Sequence, residues 1–309
     1  MVTTSRELKM YTVLGATGNI GSVITRILLE KGEKVRVVGR NAGRLQQFVH
    51  RGAEAVVGDV ADESAMTQAL SGARAAFLML PPDATSRDYR AEQERMGDSI
   101  AAAVKKSALQ YAVNLSSFGA HAPSGAGPIS GLHGVEKRLN SIEKLNVLHL
   151  RPGYFFENHL TSIHMMQLMG LMGGALKGNL KMPQIATQDI GTFAAARLLK
   201  LDFNAKHTHE LLGERDLSQN EVAAVIGNAL GNPEFRYVQF PYDQVEQVFL
   251  QMGTPPKTAA CFTEMFQGIN DGVVASREAR NTENTTPTSI ERFVREVFLP
   301  AYHSKAVSA

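Results

Sequence analysis

The sequence has few of the features that mark secreted, membrane-bound or disulfide-linked proteins. Its one cysteine, Cys261, cannot form an internal disulfide, and we expect a small buried residue in a reducing compartment. Residues 1–10 are polar and lack the apolar core of a secretion signal. No stretch reaches the length of a membrane span, since glycines and lysines interrupt the methionine-rich segment near residue 170. These absences indicate a cytoplasmic protein without a membrane partner.

A dominant charge of one sign is also missing. The 32 Lys and Arg residues nearly balance the 30 Asp and Glu residues, the net charge is +2, and no Lys/Arg run stands out. Nucleic acid is therefore not expected as a partner. Four histidines, His121, His149, His159 and His164, have no ligand spacing with acids or cysteines, and we expect no metal site.

The most informative stretch is an apolar run, 11–14, that breaks into three glycines at three-residue spacing and then into a helical pattern. In a nucleotide-binding turn, Gly15 allows a sharp exit from the strand and Gly18 allows backbone to approach a pyrophosphate. Gly21 allows the helix to pack tightly on the sheet, while the helix N-terminus offers unpaired N–H groups to phosphates. A glycine-rich turn without a ligand is the alternative. The residues assigned to this contact are Gly15, Thr17, Gly18, Asn19, Ile20 and Gly21.

Short β-rich runs alternate with helical patterns through the first half of the chain, which is typical of a parallel sheet with crossover helices. Predicted strands lie at 11–14, 34–38, 54–57, 75–80, 111–115 and 147–150. We therefore predict an α/β fold with a doubly wound, mostly parallel Rossmann sheet. A ligand should lie at the carboxyl ends of the strands, beside the first one.

Arg40 ends the second predicted strand, at the position that faces the adenosine ribose of a bound dinucleotide. An acid there would accept a hydrogen bond from the 2′-hydroxyl of NAD. An arginine instead pairs with the 2′-phosphate of NADP, because its forked donors match the phosphate oxygens. We predict NADP(H) as the preferred cofactor, with NAD(H) as the alternative, and include Asn41 in this site. An ordinary exposed arginine is the other interpretation.

Two further strand ends would contact the cofactor. Asp59 would accept from the adenine amino group and Val60 would pack on the ring, although a turn or helix-capping aspartate explains the same pattern. At the end of the fourth strand we expect Met79, Leu80 and Pro81 along the cofactor ribose, or simply as the end of a buried strand.

The residues that would carry chemistry follow the fifth predicted strand. Ser116 and Ser117 end that strand on the face where the nicotinamide would lie. The i, i+4 spacing of His133 and Lys137 puts both on one face of a helix. We predict that Lys137 holds the nicotinamide ribose, that His133 donates a proton and that Ser117 relays it or orients the substrate. A polar helix-surface residue is the alternative for His133.

The pattern changes after residues 151–153, where the chain leaves the predicted sheet. We predict an NADP-binding Rossmann domain at 1–155, to which 181–200 returns, and a smaller α+β substrate-binding lobe at 156–309. Residues expected to close over the nicotinamide end are Tyr154, Phe155 and Phe156. Residues expected to form an adaptable apolar substrate wall are Phe156, Asn158, Met165 and Met169, with plain core as the alternative for the methionines.

Several of these segments together resemble the NmrA-like group of atypical short-chain dehydrogenases. They are the Gly15-Ala-Thr-Gly-Asn-Ile-Gly21 turn, Arg40, Gly58-Asp59, Leu115-Ser-Ser117 and Leu150-Arg-Pro-Gly-Tyr-Phe-Phe-Glu-Asn158. The resemblance covers roughly the first two-thirds of the chain and implies a Rossmann fold that binds NADP(H) or NAD(H). That group includes reductases of quinones, triphenylmethane dyes and azo dyes, and regulators that bind the dinucleotide without turnover.

The sequence departs from typical short-chain dehydrogenases at one position. His133 stands where the tyrosine of their Tyr-x-x-x-Lys pair would be, and Lys137 is kept. We therefore expect an NADPH-dependent reductase that transfers hydride to a flat, electron-poor small molecule, since such an acceptor needs less acid assistance. The alternative is an NADP(H)-sensing regulator that acts on a protein partner, and a weaker one is a reductase of an enone or imine.

Overall fold

The computed structural model describes residues 9–306, with side chains described to residue 304. This part of the chain contains twelve strands: β1 (Met10–Leu14), β2 (Lys34–Gly39), β3 (Glu54–Val57), β4 (Ala75–Leu78), β5 (Tyr111–Leu115), β6 (Asn146–Pro152), β7 (Tyr154–Phe155), β8 (Met172–Gly174), β9 (Met182–Ile185), β10 (Lys206–Leu211), β11 (Asp216–Leu217) and β12 (Tyr237–Gln239).

The helices in the same range are α1 (Asn19–Glu30), α2 (Ala42–Val49), α3 (Glu63–Leu70), α4 (Tyr89–Ser107), α5 (Pro128–Asn140), α6 (Ile163–Met169), α7 (Thr187–Lys200), α8 (Gln219–Ala229), α9 (Tyr242–Gln251), α10 (Pro256–Asn270), α11 (Ile290–Phe293) and α12 (Leu299–Ala306). A 3₁₀ segment, Phe156–Ser162, precedes α6, and a π-helical turn, Val294–Phe298, joins α11 to α12.

Seven parallel strands form the central sheet in the order β10-β6-β5-β4-β1-β2-β3. The chain runs outward from β1 through β2 to β3, then crosses to β4 on the other side, so the strand order reverses beside β1. This confirms the predicted doubly wound Rossmann sheet. The reversal leaves a crevice at the carboxyl ends of β1 and β4, where open α/β sheets bind ligands.

The burial of apolar side chains between the sheet and the helices that cover it explains why these segments form strands and helices. All four residues of β4, Ala-Ala-Phe-Leu, are buried, as expected of a strand covered on both faces. Helix α1 turns Ile20, Ile24 and Leu28 into the core on one face of the sheet. Helix α7 packs closely beside α1, because a Cβ atom at Gly191 would lie 2.6 Å from Cβ of Val23. The segment 187–200 therefore belongs to the layer that covers the sheet.

The position of one strand of the central sheet, β10, differs from expectation. The sequence analysis places residues 156–309 in a second lobe, whereas β10, which belongs to this range, begins at Lys206 and pairs in parallel with β6 at the edge of the central sheet. Only its last two residues are buried, so the segment lacks the apolar run of a central strand. The range 156–309 thus contributes one strand to the central sheet, while β9, expected to return there, pairs with β7 and β11.

Several C-terminal elements, among them α6, α8 and α11, surround a separate apolar cluster that includes Phe156, Val222, Ile226 and Phe293. The methionine-rich helix α6 spans only Ile163–Met169. It ends at Gly170, whose φ of +68° stops α6. Within the described residues, no helix is long and apolar enough to cross a membrane.

Candidate functional site

The glycine turn between β1 and α1 has the geometry that the sequence predicts. Gly15 has a φ of +63°, and the N–H of Gly18 donates to the Gly15 carbonyl at 2.9 Å. A Cβ atom on Gly21 would lie 2.2 Å from that carbonyl oxygen, so the helix packs against the turn only because residue 21 has no side chain. No side chain caps α1 and no acid lies in its first turn. The N–H groups at the start of α1 thus have no side-chain acceptor, an arrangement that suits an anion.

The other residues assigned to this turn differ in what they present. Asn19 is exposed at the first helical position, whereas the Ile20 side chain is buried in the core and offers only its backbone. The Thr17 carbonyl accepts from Nη2 of Arg44 at 3.3 Å. Across the crevice, Met79 covers the turn, because a Cβ on Gly15 would lie 2.7 Å from its sulfur.

A cleft of about 230 Å³ lies at the carboxyl ends of β2, β3 and β4. Its lining includes three residues that the sequence assigned to the adenosine end, Arg40, Asp59 and Pro81. The Arg40 guanidinium is exposed, and its Nη1 lies 4.0 Å from Oδ2 of Asp83. Hydrogen bonds from Thr85, followed by the Arg40 charge, lower the pKa of the Asp83 carboxyl, which therefore stays ionised beside the arginine.

Three neighbouring candidates have structural roles in this fold. Asn41 caps α2 by accepting from the Arg44 N–H at 3.1 Å, which positions Arg44 beside the glycine turn. Asp59 accepts from the Ala61 N–H at 2.8 Å, the turn role considered for it. Val60 is buried in the core, and Leu80 packs against the same cluster.

The two serines after β5 point to different surroundings. Ser116 is buried, and its hydroxyl donates to Oε1 of Glu136 at 2.5 Å. Ser117 is half-buried, and its hydroxyl has no hydrogen-bond partner within residues 9–306. Ser117 is therefore the serine whose hydroxyl is free to contact a ligand.

Helix α5 carries the predicted His133 and Lys137. Nδ1 of His133 lies 2.9 Å from the Ala120 carbonyl oxygen. Because a carbonyl only accepts, Nδ1 carries a proton, and Nε2 of the neutral ring is a hydrogen-bond acceptor. Lys137 is exposed one turn later and makes no ion pair with another described residue. Its ammonium is thus available to a ligand.

The aromatic residues predicted to close over the nicotinamide differ in how deeply they are buried. Tyr154 contacts Asn158, and burial raises the pKa of the Tyr154 hydroxyl to about 12, so it stays neutral. Phe155 packs at the margin of the sheet core. Phe156 is 1% exposed and packs against Phe293 with ring centroids 5.3 Å apart, which removes its side chain from any open site.

Two methionines of the predicted wall lie on α6. Met165 is half-buried, whereas Met169 is 61% exposed at the end of the helix. Cys261 is buried, and burial raises the pKa of its thiol to about 11, which fits the expected inert residue. Among the described residues, no group of three or more His, Cys, Asp or Glu side chains is arranged to hold a metal ion.

The sequence model of the NmrA-like family matches residues 7–294, nearly the whole described chain. The chain belongs to the NmrA-like family. One relative, an NAD(P)H azoreductase of Xenophilus azovorans, is 27% identical over 259 residues, which cover 83% of this chain and 86% of the relative.

Two solved structures show the same NmrA-like fold. An NADPH-dependent quinone oxidoreductase of Escherichia coli, complexed with NADPH, superposes with a TM-score of 0.79 at 21% identity, covering 94% of this chain and 100% of the other. NmrA, a negative transcriptional regulator in complex with NADP, superposes with a TM-score of 0.66 at 18% identity, covering 97% and 98%. Of these two proteins of similar fold, one is named as an oxidoreductase and the other as a transcriptional regulator.

A buried ion pair in this NmrA-like chain was not found from the sequence. Glu136, 5% exposed, accepts from Nε of Arg151 at 2.9 Å and from Nη2 at 2.5 Å, in addition to the Ser116 hydroxyl. The pair joins α5 to the end of β6 and fixes the helix that carries His133 and Lys137. In the sequence, Glu136 looks like any other acidic residue on a helix. Only its burial in the structure distinguishes it from an exposed helix glutamate.

Proposed function

We propose that the protein is an NAD(P)H-dependent reductase, with NADPH preferred, that transfers hydride to a flat, electron-poor small molecule such as a quinone, azo dye or triphenylmethane dye. The observation that carries the proposal is the uncapped N-terminus of α1 behind the glycine turn, with Arg40 and Arg44 beside it. The names of the relatives, an azoreductase and a quinone oxidoreductase, support the reaction class.

These residues fit a dinucleotide on physical grounds. Gly18 has no side chain, and the N–H groups that begin α1 have no capping partner, so a pyrophosphate would meet backbone donors directly. The Arg40 and Arg44 guanidinium groups would hold a 2′-phosphate. When bound, the reduced dinucleotide supplies the hydride. Lys137, exposed and unpaired among the described residues, would hold hydroxyls of the adjoining ribose.

The protein would then orient the acceptor and handle one proton. Reduction of a quinone to a hydroquinone adds one hydride and one proton, and the hydride carries both electrons. The ring of His133 would deliver that proton from Nε2 when both its nitrogens are protonated, since Nδ1 is held by the Ala120 carbonyl. Ser117, with its free hydroxyl, would orient the acceptor oxygen. Most of the rate would come from positioning, because the acceptor is already electron-poor.

The test is NADPH oxidation with a panel of quinones, azo dyes and triphenylmethane dyes, beside a direct NADPH titration. Turnover with at least one acceptor is expected, and Lys137→Ala should reduce kcat/KM by roughly tenfold or more, as expected for the loss of a charged hydrogen bond. The matched control is Lys144→Ala, since Lys144 is exposed beyond the end of α5. No binding of NADPH would reject the proposal.

The second candidate is an NADP(H)-sensing regulator that acts through a protein partner. Two observations favour it: His133 replaces the tyrosine expected of a dehydrogenase, and a family relative of the same fold is named as a transcriptional regulator. Tight NADPH binding with no turnover of any acceptor would favour this function over the reductase. The decisive experiment would then be affinity capture of partners with NADPH against NADP⁺.

A further inference from the structure

A second cleft lies apart from the adenosine cleft, between the loop that follows β5 and the loop that follows α10. Its volume is about 420 Å³, and its lining includes His121, Ser124, Ser276 and Arg277. The two loops are locked together, because Gly119, with φ of +80°, packs so closely that a Cβ there would lie 2.6 Å from Cγ1 of Val274. The cleft is therefore preformed.

The acidic groups around this cleft are already engaged. Glu210, 1% exposed, accepts from the N–H groups of Arg277 and Glu278 and from the Ser276 hydroxyl. Glu136 is paired with Arg151, and the Glu278 carboxylate accepts from the Glu210 N–H. These carboxylates accept hydrogen bonds from groups inside the protein, and Glu136 is in addition ion-paired with Arg151.

Two basic side chains at the cleft, Arg277 and His121, lack such hydrogen bonds within the described chain. The Arg277 side chain is exposed and makes neither an ion pair nor a hydrogen bond within the described chain. Nδ1 of His121 is buried and has no hydrogen-bond partner in residues 9–306. Burial lowers the pKa of His121, the Arg277 and Arg151 charges lower it further, and Glu210 and Glu136 oppose this. The His121 ring lines the cleft. Because a buried polar nitrogen without a partner is costly, a small rotation of this ring that lets Nδ1 donate to a bound oxyanion would be favourable.

The same loop connects the cleft to the candidate active site. It carries Ser117, then Ala120, whose carbonyl holds Nδ1 of His133, and then His121. A molecule reacting near Ser117 and His133 therefore has a basic cleft along the loop beside it.

We propose that this cleft binds an anionic group of the acceptor, such as a carboxylate, sulfonate or phosphate ester, with Arg277 supplying the charge and His121 a hydrogen bond. The proposal rests on the proposed reductase function for the identity of its ligand. Arg277 and His121 are specificity-determining residues, and the bond-making steps stay with the residues described above.

The experiment compares two acceptors, 1,4-naphthoquinone and its 2-sulfonate, in the wild type and in Arg277→Gln. The ratio of KM for the sulfonate to KM for the neutral quinone should rise about tenfold in Arg277→Gln, as expected for one charge-assisted hydrogen bond. Arg277→Lys should restore part of the loss. Arg26→Gln is the matched control, because Arg26 is exposed on α1 and has no partner among the described residues. An unchanged ratio in Arg277→Gln would overturn the proposal.

A second arm does not depend on turnover. Calorimetric titration with benzenesulfonate should give binding that is lost in Arg277→Gln and kept in Arg26→Gln. Binding of inorganic phosphate without benzenesulfonate would overturn the assignment to an acceptor and identify a free anion as the ligand. If no acceptor is reduced, the reductase function fails, while the benzenesulfonate titration still decides whether the cleft is an anion site.

Discussion

Nδ1 of His133 lies 2.9 Å from the carbonyl oxygen of Ala120. This contact fixes the tautomer, since the carbonyl requires a proton on Nδ1, and leaves Nε2 as the ring nitrogen without a partner among the described residues. His133→Gln would keep a donor for the carbonyl but remove the titratable proton. We expect kcat to fall by about tenfold or more with a quinone acceptor and its pH dependence to flatten. Steady-state pH profiles of both proteins test this, and an unchanged profile would exclude His133 as the acid.

The charge of Arg40 should decide the cofactor preference. Arg40→Glu would direct a carboxylate at the 2′-phosphate, and we expect NADPH affinity to fall about a hundredfold while NADH affinity changes far less. Dissociation constants for both cofactors, measured by fluorescence titration, give the result. Equal losses for NADPH and NADH would contradict the assignment of Arg40 to the 2′-phosphate.

Two glycines of the turn should respond differently to alanine. In Gly21→Ala the new Cβ would lie 2.2 Å from the Gly15 carbonyl oxygen, and the fold should lose about 1–3 kcal/mol as the turn shifts. In Gly18→Ala the nearest atom would be the Gly15 carbonyl oxygen at 3.3 Å, a tight contact but far looser than in Gly21→Ala. The loss of stability should therefore be smaller than in Gly21→Ala, while NADPH binding weakens. Thermal unfolding and NADPH titration of both variants separate the two effects. Normal NADPH affinity in Gly18→Ala would argue against pyrophosphate at this position.

The buried Glu136–Arg151 pair should stabilise the fold only when both partners are present, and removing one partner alone should be strongly destabilising. Glu136→Gln leaves the Arg151 guanidinium without its counter-charge, and we expect a loss of about 3–5 kcal/mol in the free energy of unfolding. Glu136→Leu combined with Arg151→Met should lose less than the sum of the two single changes. Denaturant unfolding of the double-mutant cycle measures the coupling, and strict additivity would show that the pair does not act as a unit.

Two buried histidines should make the fold sensitive to acid. Burial lowers the pKa of His149 and of His159 from 6.5 to about 4, and each is hydrogen-bonded to side-chain amide groups. The unfolded chain therefore binds more protons between these values, so stability is full above pH 6.5 and falls towards pH 4. Each histidine accounts for up to about 3 kcal/mol.

The check is the free energy of unfolding as a function of pH for the wild type and His159→Gln. Replacing His159 should reduce the pH dependence of the free energy of unfolding between pH 4 and 6.5. The reduction should correspond to the uptake of as much as one proton fewer on unfolding. An identical slope in His159→Gln would mean that His159 does not remain neutral in the folded state.

Much of the fold follows from local sequence. The apolar run that becomes β1, the three glycines and the amphipathic α1 are close in the chain, and their conformations depend on near neighbours. The place of β10 in the central sheet could not be predicted, because an exposed edge strand lacks an apolar run and its pairing with β6 spans about sixty residues of chain. Likewise, Phe156 and Met169 are both apolar, yet one is 1% exposed and the other 61%.

The sequence by itself determined the type of fold, the glycine turn between β1 and α1 and the arginine that follows β2, because each depends on residue type within a short segment. The tertiary structure decided which groups are free to act. It engaged Ser116 with Glu136, left Ser117 unpartnered among the described residues, held Nδ1 of His133 on Ala120 and brought His121 beside Arg277. These pairings join elements far apart in the chain, and packing of helices and loops on the sheet, which no local pattern encodes, sets their distances.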